Sequence, residues 1–225
     1  MSTRTYGQLC PIARALDVLG DRWTLLVVRE LLLGEKRFGE ILTMLPAMGT
    51  NRLSNRLALL CDNNVVEKMS VTTPASGVAY ALTPFGEGLR KPIMDLALWG
   101  MSLTSYENED LTAARAELIA LGLSATVDPA RIQNVDALYE LQVGAETFHA
   151  RVGQGAVRVR SGPSATPVDV AVRCTLPVFL GLVLGKVKAL QALSQGKVQL
   201  ISGDRQKLTR LFGLLQYRPA SARAV

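Results

Sequence analysis

At 225 residues with 25 basic and 19 acidic side chains, the chain carries a formal charge of +6, and 48% of its residues are hydrophobic. That composition excludes a wholly disordered chain, a collagen-like repeat and a disulfide scaffold, while the length admits one large or two modest domains. The positive excess lies mostly in residues 108–225, with 14 basic and 9 acidic groups against 11 and 10 in residues 1–107, so bulk charge does not locate a nucleic-acid site.

The segment "MSTRTYGQLCPIARAL" has neither the apolar core nor the cleavage pattern of a secretory signal. The longest apolar stretch, Cys174 to Gly185, falls short of the roughly 18 to 20 residues that a bilayer requires, so no membrane span is expected. Cys10, Cys61 and Cys174 are odd in number and irregularly spaced, which argues against a disulfide framework and a four-ligand zinc site. A cytoplasmic protein without a metal or other cofactor is the expectation.

Cys10 to Leu19 has Ile12, Ala13, Leu16 and Leu19 at helical spacing and stops at Gly20. Asp21 is placed to cap a second helix running through Trp23, Leu26, Val27, Leu31 and Leu32 to Gly34. Phe38, Ile41, Leu42 and Leu45 form a brief apolar stripe ended by Pro46. Thr50 is placed to cap a helix with Leu53, Leu57 and Leu60 on one face and Asn51, Arg52, Asn55 and Arg56 largely on the other. Val65–Val71 and Val78–Leu82, joined by "TTPASG", predict a β-hairpin, and Thr83-Pro84 opens a helix carrying Leu89, Ile93, Leu96 and Trp99 inward.

The polar run "SYENED", 105–110, reads as a linker, and Leu111 to Leu123 as a helix. Four short alternating strands follow, "ALYELQV", "TFHARVG", "AVRVRSG" and "PVDVAVRC". After them come helices over Leu176–Leu184 and Lys186–Leu193, a strand "KVQLIS" and a helix Asp204–Gln216. The predicted domains are 1–107, a connecting linker and helix at 108–125, and an α+β domain at 126–225 with helices on one face of a sheet.

Three short helices followed by a hairpin make the layout of a mainly α winged helix-turn-helix, in which the third helix enters the major groove. A helix of about ten residues is unstable alone, so the apolar density of "DRWTLLVVRELLLGEKRFGEILTML" reads as the brace for the helix after it. Arg can donate two parallel bonds to guanine and Asn can pair with adenine, which makes Asn51, Arg52, Asn55 and Arg56 candidate base readers. Thr50, Ser54 and Arg37 are candidate phosphate contacts, with Lys36 a lesser one. The plain alternative is a solvated surface helix.

The stretches "CPIARALDVLGDRWTLLVVRELLLGEKRFGEI", "LSNRLALL" and "VAYALTPFGEGL" followed by "ALWG" resemble the HxlR-type family of bacterial winged-helix transcription regulators over about residues 8–101. The resemblance implies a homodimer that binds double-stranded operator DNA, with dimer contacts near Ile12, Leu16, Ile93 and Trp99 and DNA contacts on the helix after Met48. That family's wing often carries several arginines, whereas "EKMSVTTPASGVAY" offers only Lys68, which implies fewer phosphate contacts. In several proteins resembling this pattern the cysteine at the Cys10 position senses oxidants or electrophiles. A thiol at a helix start, one turn from Arg14, has suitable electrostatics, although packing at a dimer interface is an equal alternative.

The order of elements in the second half resembles the sterol-carrier-protein-like fold over about residues 126–216. The resemblance implies an apolar small-molecule ligand, with Leu176, Phe179, Leu180, Val183, Leu190, Leu208, Leu211 and Phe212 lining its cavity, or else simply filling the core. Enzymatic signals are weak. His149 lies in an alternating strand without a nucleophile pattern, and "GQG" at 153–155 reads as a hairpin turn rather than a dinucleotide fingerprint. The expected function is therefore a dimeric DNA-binding regulator modulated by an apolar ligand. Its alternatives are a redox repressor acting through Cys10, or a lipid carrier.

Overall fold

The computed structural model describes residues 5–72, 75–101, 103 and 114–217. The chain divides into two compact units, Met1–Ile93 and Met94–Val225. The expected boundary at 107 and the linker at 105–110 lie outside the described residues.

In the first unit, helix α1 (Pro11–Leu19) starts with proline at a position where no backbone donor is needed, and the Gly20 N–H closes it on the Leu16 carbonyl at 2.8 Å. Helix α2 (Thr24–Leu32) follows. Asp21 does not cap it directly: its carboxylate accepts from the Trp23 N–H at 3.1 Å and its carbonyl from the Thr24 N–H at 3.0 Å, making a tight turn before the helix. Val27, Val28, Leu31 and Leu32 are buried at 0–2% exposure. Burial of that kind contributes roughly 1.5 to 3 kcal/mol per side chain, which is what stabilises a nine-residue helix.

A two-residue strand β1 (Lys36–Arg37) leads into α3 (Phe38–Met44), then a 3-10 turn Pro46–Met48 and α4 (Thr50–Asp62). Strands β2 (Val66–Val71) and β3 (Gly77–Leu82) form the expected hairpin, and β1 adds to it in the order β1-β3-β2, all antiparallel. β1 is absent from the sequence-based expectation because two residues cannot display a period-2 pattern.

The helix expected after Thr83 is two: α5 (Pro84–Glu87) and α6 (Arg90–Met101). The Thr83 hydroxyl accepts from the Gly86 N–H at 3.0 Å and donates to the Asn64 carbonyl at 2.5 Å, tying the start of α5 to the turn two residues before β2. A Cβ at Gly86 would stand 2.0 Å from the Val65 carbonyl oxygen, so glycine is required there by close approach. Two glycines in one turn, Gly86 and Gly88, weaken the helix where it breaks. Ile93 is buried at 8%, but Leu96 and Trp99 are 48% and 61% exposed, which corrects the expectation that they point inward.

The second unit includes α7 (Ala116–Ser124). It packs on β5 and β6, and the Glu146 carboxylate accepts from the Ala116 and Glu117 N–H groups at 3.0 and 3.2 Å, a negative charge at a helix N-terminus. Strands β4 (Ala137–Val143), β5 (Glu146–Gly153), β6 (Ala156–Ser161), β7 (Val170–Cys174) and β8 (Val198–Ser202) form one sheet in the order β6-β5-β4-β7-β8. Its β4 and β7 are parallel and the other pairs antiparallel. The β5–β6 link is a two-residue turn with positive φ at both Gln154 and Gly155, as the "GQG" reading expects.

Helices α8 (Leu176–Val183), α9 (Ala189–Ser194) and α10 (Arg205–Leu214) complete the unit. Phe148 of β5 meets Phe179 of α8 edge to face, centroids 6.1 Å apart. α9 starts at Ala189 rather than Lys186: Gly185 turns with φ +72° and the Val187 N–H reaches back to the Gly181 carbonyl at 2.9 Å. Asp204 caps α10 by accepting from the Lys207 N–H at 2.8 Å. The architecture is thus a mainly α winged helix-turn-helix unit and an α+β unit with a mixed sheet. Among the described residues no helix is long and apolar enough to cross a membrane.

Candidate nucleic-acid interface

Helix α4 bears the residues expected to read DNA, and its orientation follows from three leucines. Leu53, Leu57 and Leu60 are 0%, 1% and 0% exposed, so the opposite face is set outward. That outward face bears Asn51, Arg52, Ser54 and Asn55, all exposed. Thr50 is exposed as well, but it is the first helical residue. The capping position is held by Gly49, whose φ of +76° a threonine would adopt only with strain. Arg56 is half-buried and its guanidinium lies 3.9 Å from the Asp21 carboxylate, which ties α4 to the turn before α2. Such a partly exposed pair is worth at most about 1 kcal/mol and exchanges readily.

Lys36 is buried at 7% exposure and pairs in register with Tyr80, so it is a sheet residue and not a phosphate contact on the surface. Arg37 occupies the junction of β1 and α3: its backbone N–H donates to the Glu40 carboxylate at 2.6 Å, and its side chain donates to the Ala75 carbonyl in the turn of the wing. The expected phosphate contact is therefore turned along the wing. Lys68 is exposed on β2, opposite Tyr80. Sequence reasoning missed β1 and with it the role of Gly77, whose lack of a side chain leaves space for the Arg37 guanidinium.

The residues expected at a dimer contact divide. Ile12 is 70% exposed, Leu16 43% and Trp99 61%, and Tyr6 and Leu9 add further exposed apolar surface at 58% and 92%. Ile93 is taken up by the protomer's own core and offers a partner little area, a correction to its expected place. Cys10, half-exposed, precedes Pro11 as the N-cap of α1. Cys61 is half-buried and its thiol is pushed up by burial, an effect opposed in part by Lys68. Burial alone pushes Cys174 up to about 11.

In the second unit, Phe179, Val183, Leu208, Leu211 and Phe212 are buried, at most 4% exposed. Leu176 and Leu180 are half-buried. Leu190 alone of the eight lines a groove of about 500 Å³, together with Leu193, Ser194, Arg205, Gln206 and Thr209. The buried Tyr139 hydroxyl has no hydrogen-bond partner among the described residues, and burial pushes its pKa up. His149 has its Nδ1 3.0 Å from the Gly162 carbonyl, a structural role. Among the described residues no cluster of His, Cys, Asp or Glu is fit to hold a metal ion.

Residues 18–108 match the model of the HxlR-like helix-turn-helix family, and residues 117–216 that of the SCP-2 sterol transfer family. Among curated proteins, the HTH-type transcriptional regulators YvaP and YodB of Bacillus subtilis are each 33% identical, over 94 and 92 residues. Those matches span 41% and 40% of this chain and 87% and 82% of the relatives. A regulator of the same type from Synechocystis is 29% identical over 102 residues, 45% of this chain and 76% of the relative. Three mycobacterial regulators, 34% identical, are matched over 56% of their length. Among solved structures, the reduced form of YodB from B. subtilis is similar with 31% identity and a TM-score of 0.38, covering 46% of this chain and all of that one. The oxidised redox regulator HypR is similar with 29% identity and a TM-score of 0.39, covering 45% of this chain and 99% of that one.

Proposed function

Since this chain belongs to the HxlR-like helix-turn-helix family and carries a second domain of the SCP-2 sterol transfer family, we propose that it is a dimeric transcription regulator whose α4 reads operator DNA. The observation that carries this reading is the two-faced character of α4. Three fully buried leucines face one way, while Asn51, Arg52, Ser54 and Asn55 face solvent. Two such helices in a two-fold dimer would meet half-sites about 34 Å apart. The exposed Ile12, Leu16 and Trp99 supply apolar area for that dimer, and Lys68 supplies a wing contact to phosphate.

In this reading the second domain is the sensor. The groove walled by Leu190 and Leu193 is the part of it that an apolar ligand could enter, and a ligand would act only through a different affinity for the two dimer shapes. The half-exposed Cys10 at the start of α1 favours a second route to the same switch, thiol oxidation or alkylation.

One experiment separates these readings. A duplex selected by the protein from a random library is titrated with wild type and with Arg52→Ala, then with an apolar compound panel and an electrophile, each against wild type and Cys10→Ser. Arg52→Ala should cost about 1 to 3 kcal/mol on the selected site and little on random duplex. Equal affinity of Arg52→Ala and wild type for the selected site would remove α4 as the reading helix. Release by apolar compounds in both proteins supports the groove. Release by the electrophile in wild type alone supports Cys10.

A further inference from the structure

We infer that Arg37 is a positioning residue that clamps the wing to the helical part of the first unit, and that Gly77 exists to admit it. The inference rests on the reading of this unit as a DNA-binding winged helix and concerns how its wing is held.

Arg37 is the junction of three elements. Its backbone pairs with Ala79 of β3, it precedes the first residue of α3, and its N–H is held by the Glu40 carboxylate in the first turn of that helix. From that anchored backbone the side chain passes Gly77 of β3, and its Nη2 donates to the carbonyl of Ala75, beyond the end of the strand. The contact joins residues 38 positions apart. A two-stranded ribbon is marginally stable by itself, so its outer end keeps a fixed direction only if something beyond the hairpin ladder holds it. A charge-assisted bond from a guanidinium to a backbone carbonyl is among the stronger neutral-to-ion contacts available for that task.

Gly77 lies beside the same guanidinium. A glycine inside a strand weakens it, because it has no side chain to pack and more backbone freedom to lose. Its backbone does not adopt a positive φ, unlike Gly34 or Gly49, so no turn conformation demands it. What glycine leaves room for is the guanidinium: a Cβ at Gly77 would stand 2.5 Å from Arg37 Nη1 and 3.5 Å from Cζ, the far end of a flexible side chain that would have to move. Alanine there would push the guanidinium off the strand and away from Ala75. The pair also accounts for a wing whose described strands carry Lys68 as their one basic residue: the arginine nearest the wing is used to aim it.

The test is a double-mutant cycle on the full chain, with Arg37→Ala, Gly77→Ala and the double variant titrated on the selected duplex. Amide hydrogen exchange of residues 75–80 is read in the DNA-free protein. Each single variant should weaken binding by about 3- to 10-fold and raise exchange at 75–80, while Gly77→Ala should add little in the Arg37→Ala background. Arg37→Lys, whose ammonium is a point donor and not a planar fork, should recover part of the loss.

Additive losses, or unchanged exchange in Arg37→Ala with a salt slope shallower by about 0.9, would overturn the clamp and make Arg37 a direct phosphate contact. Arg52→Ala, run beside the cycle, reports on the underlying reading. If it and the cycle are both silent, α4 does not read DNA. If it alone responds, only the clamp is lost.

Discussion

Cys10 and Cys174 show how one residue type takes a different accessibility from its surroundings. Cys174 is 7% exposed in the last position of β7, and burial in apolar surroundings pushes its thiol up to about 11. At pH 8 only about one part in a thousand of it is thiolate, the nucleophilic form. Cys10 sits half-exposed at the N-cap of α1, where the helix's backbone donors point. Limited alkylation of the folded protein at pH 8, followed by peptide mass mapping, should therefore modify Cys10 well before Cys174. Equal rates would mean that the β7 thiol is not protected by the fold. The sequence placed Cys10 before a helix through Cys10-Pro11, and the structure agrees. Nothing local distinguished Cys174, because its depth comes from α8 and the sheet.

At the scale of elements, α4 was legible down to its faces. The spacing of Leu53, Leu57 and Leu60 predicts the buried stripe that the structure has, because an apolar stripe at helical period has one energetically acceptable orientation. The two faces should separate in measurement. Leu57→Ala should destabilise the unit by about 2 to 5 kcal/mol in denaturant titration, through lost transfer energy and a cavity. Arg52→Ala should change stability by less than about 0.5 kcal/mol while still affecting DNA. A Leu57→Ala protein of wild-type stability would mean that α4 is not braced from beneath. Other elements were illegible for identifiable reasons. β1 is too short for a pattern, and the break between α5 and α6 depends on the approach of Gly86 to the Val65 carbonyl. Periodicity in α8 and α10 reports which side chains point inward, not whether a void awaits them, so for Phe179, Val183, Leu208, Leu211 and Phe212 it predicts the burial that the structure has and leaves cavity wall and filled core both open.

For the whole molecule, exposed apolar side chains are the feature that a lone protomer does not explain. Leu9 at 92%, Ile12 at 70% and Trp99 at 61% leave in water area that a dimer would cover. Ile12→Asp combined with Trp99→Asp should shift the sedimentation of the full chain from dimer to monomer, with its secondary structure retained by circular dichroism. Unchanged sedimentation would place the interface elsewhere.

The sequence by itself determined the two-domain order, the helix-turn-helix with its wing, the outward face of α4 and the strand succession of the second domain. Each is written in local periodicity, caps and turns that neighbouring residues enforce. Only the tertiary structure decided that Lys36 is buried, that Leu96 and Trp99 are exposed, and that Arg37 reaches the Ala75 carbonyl past a glycine left open for it. These depend on contacts between residues far apart in the chain, and a side chain's reach across a fold has no period to read.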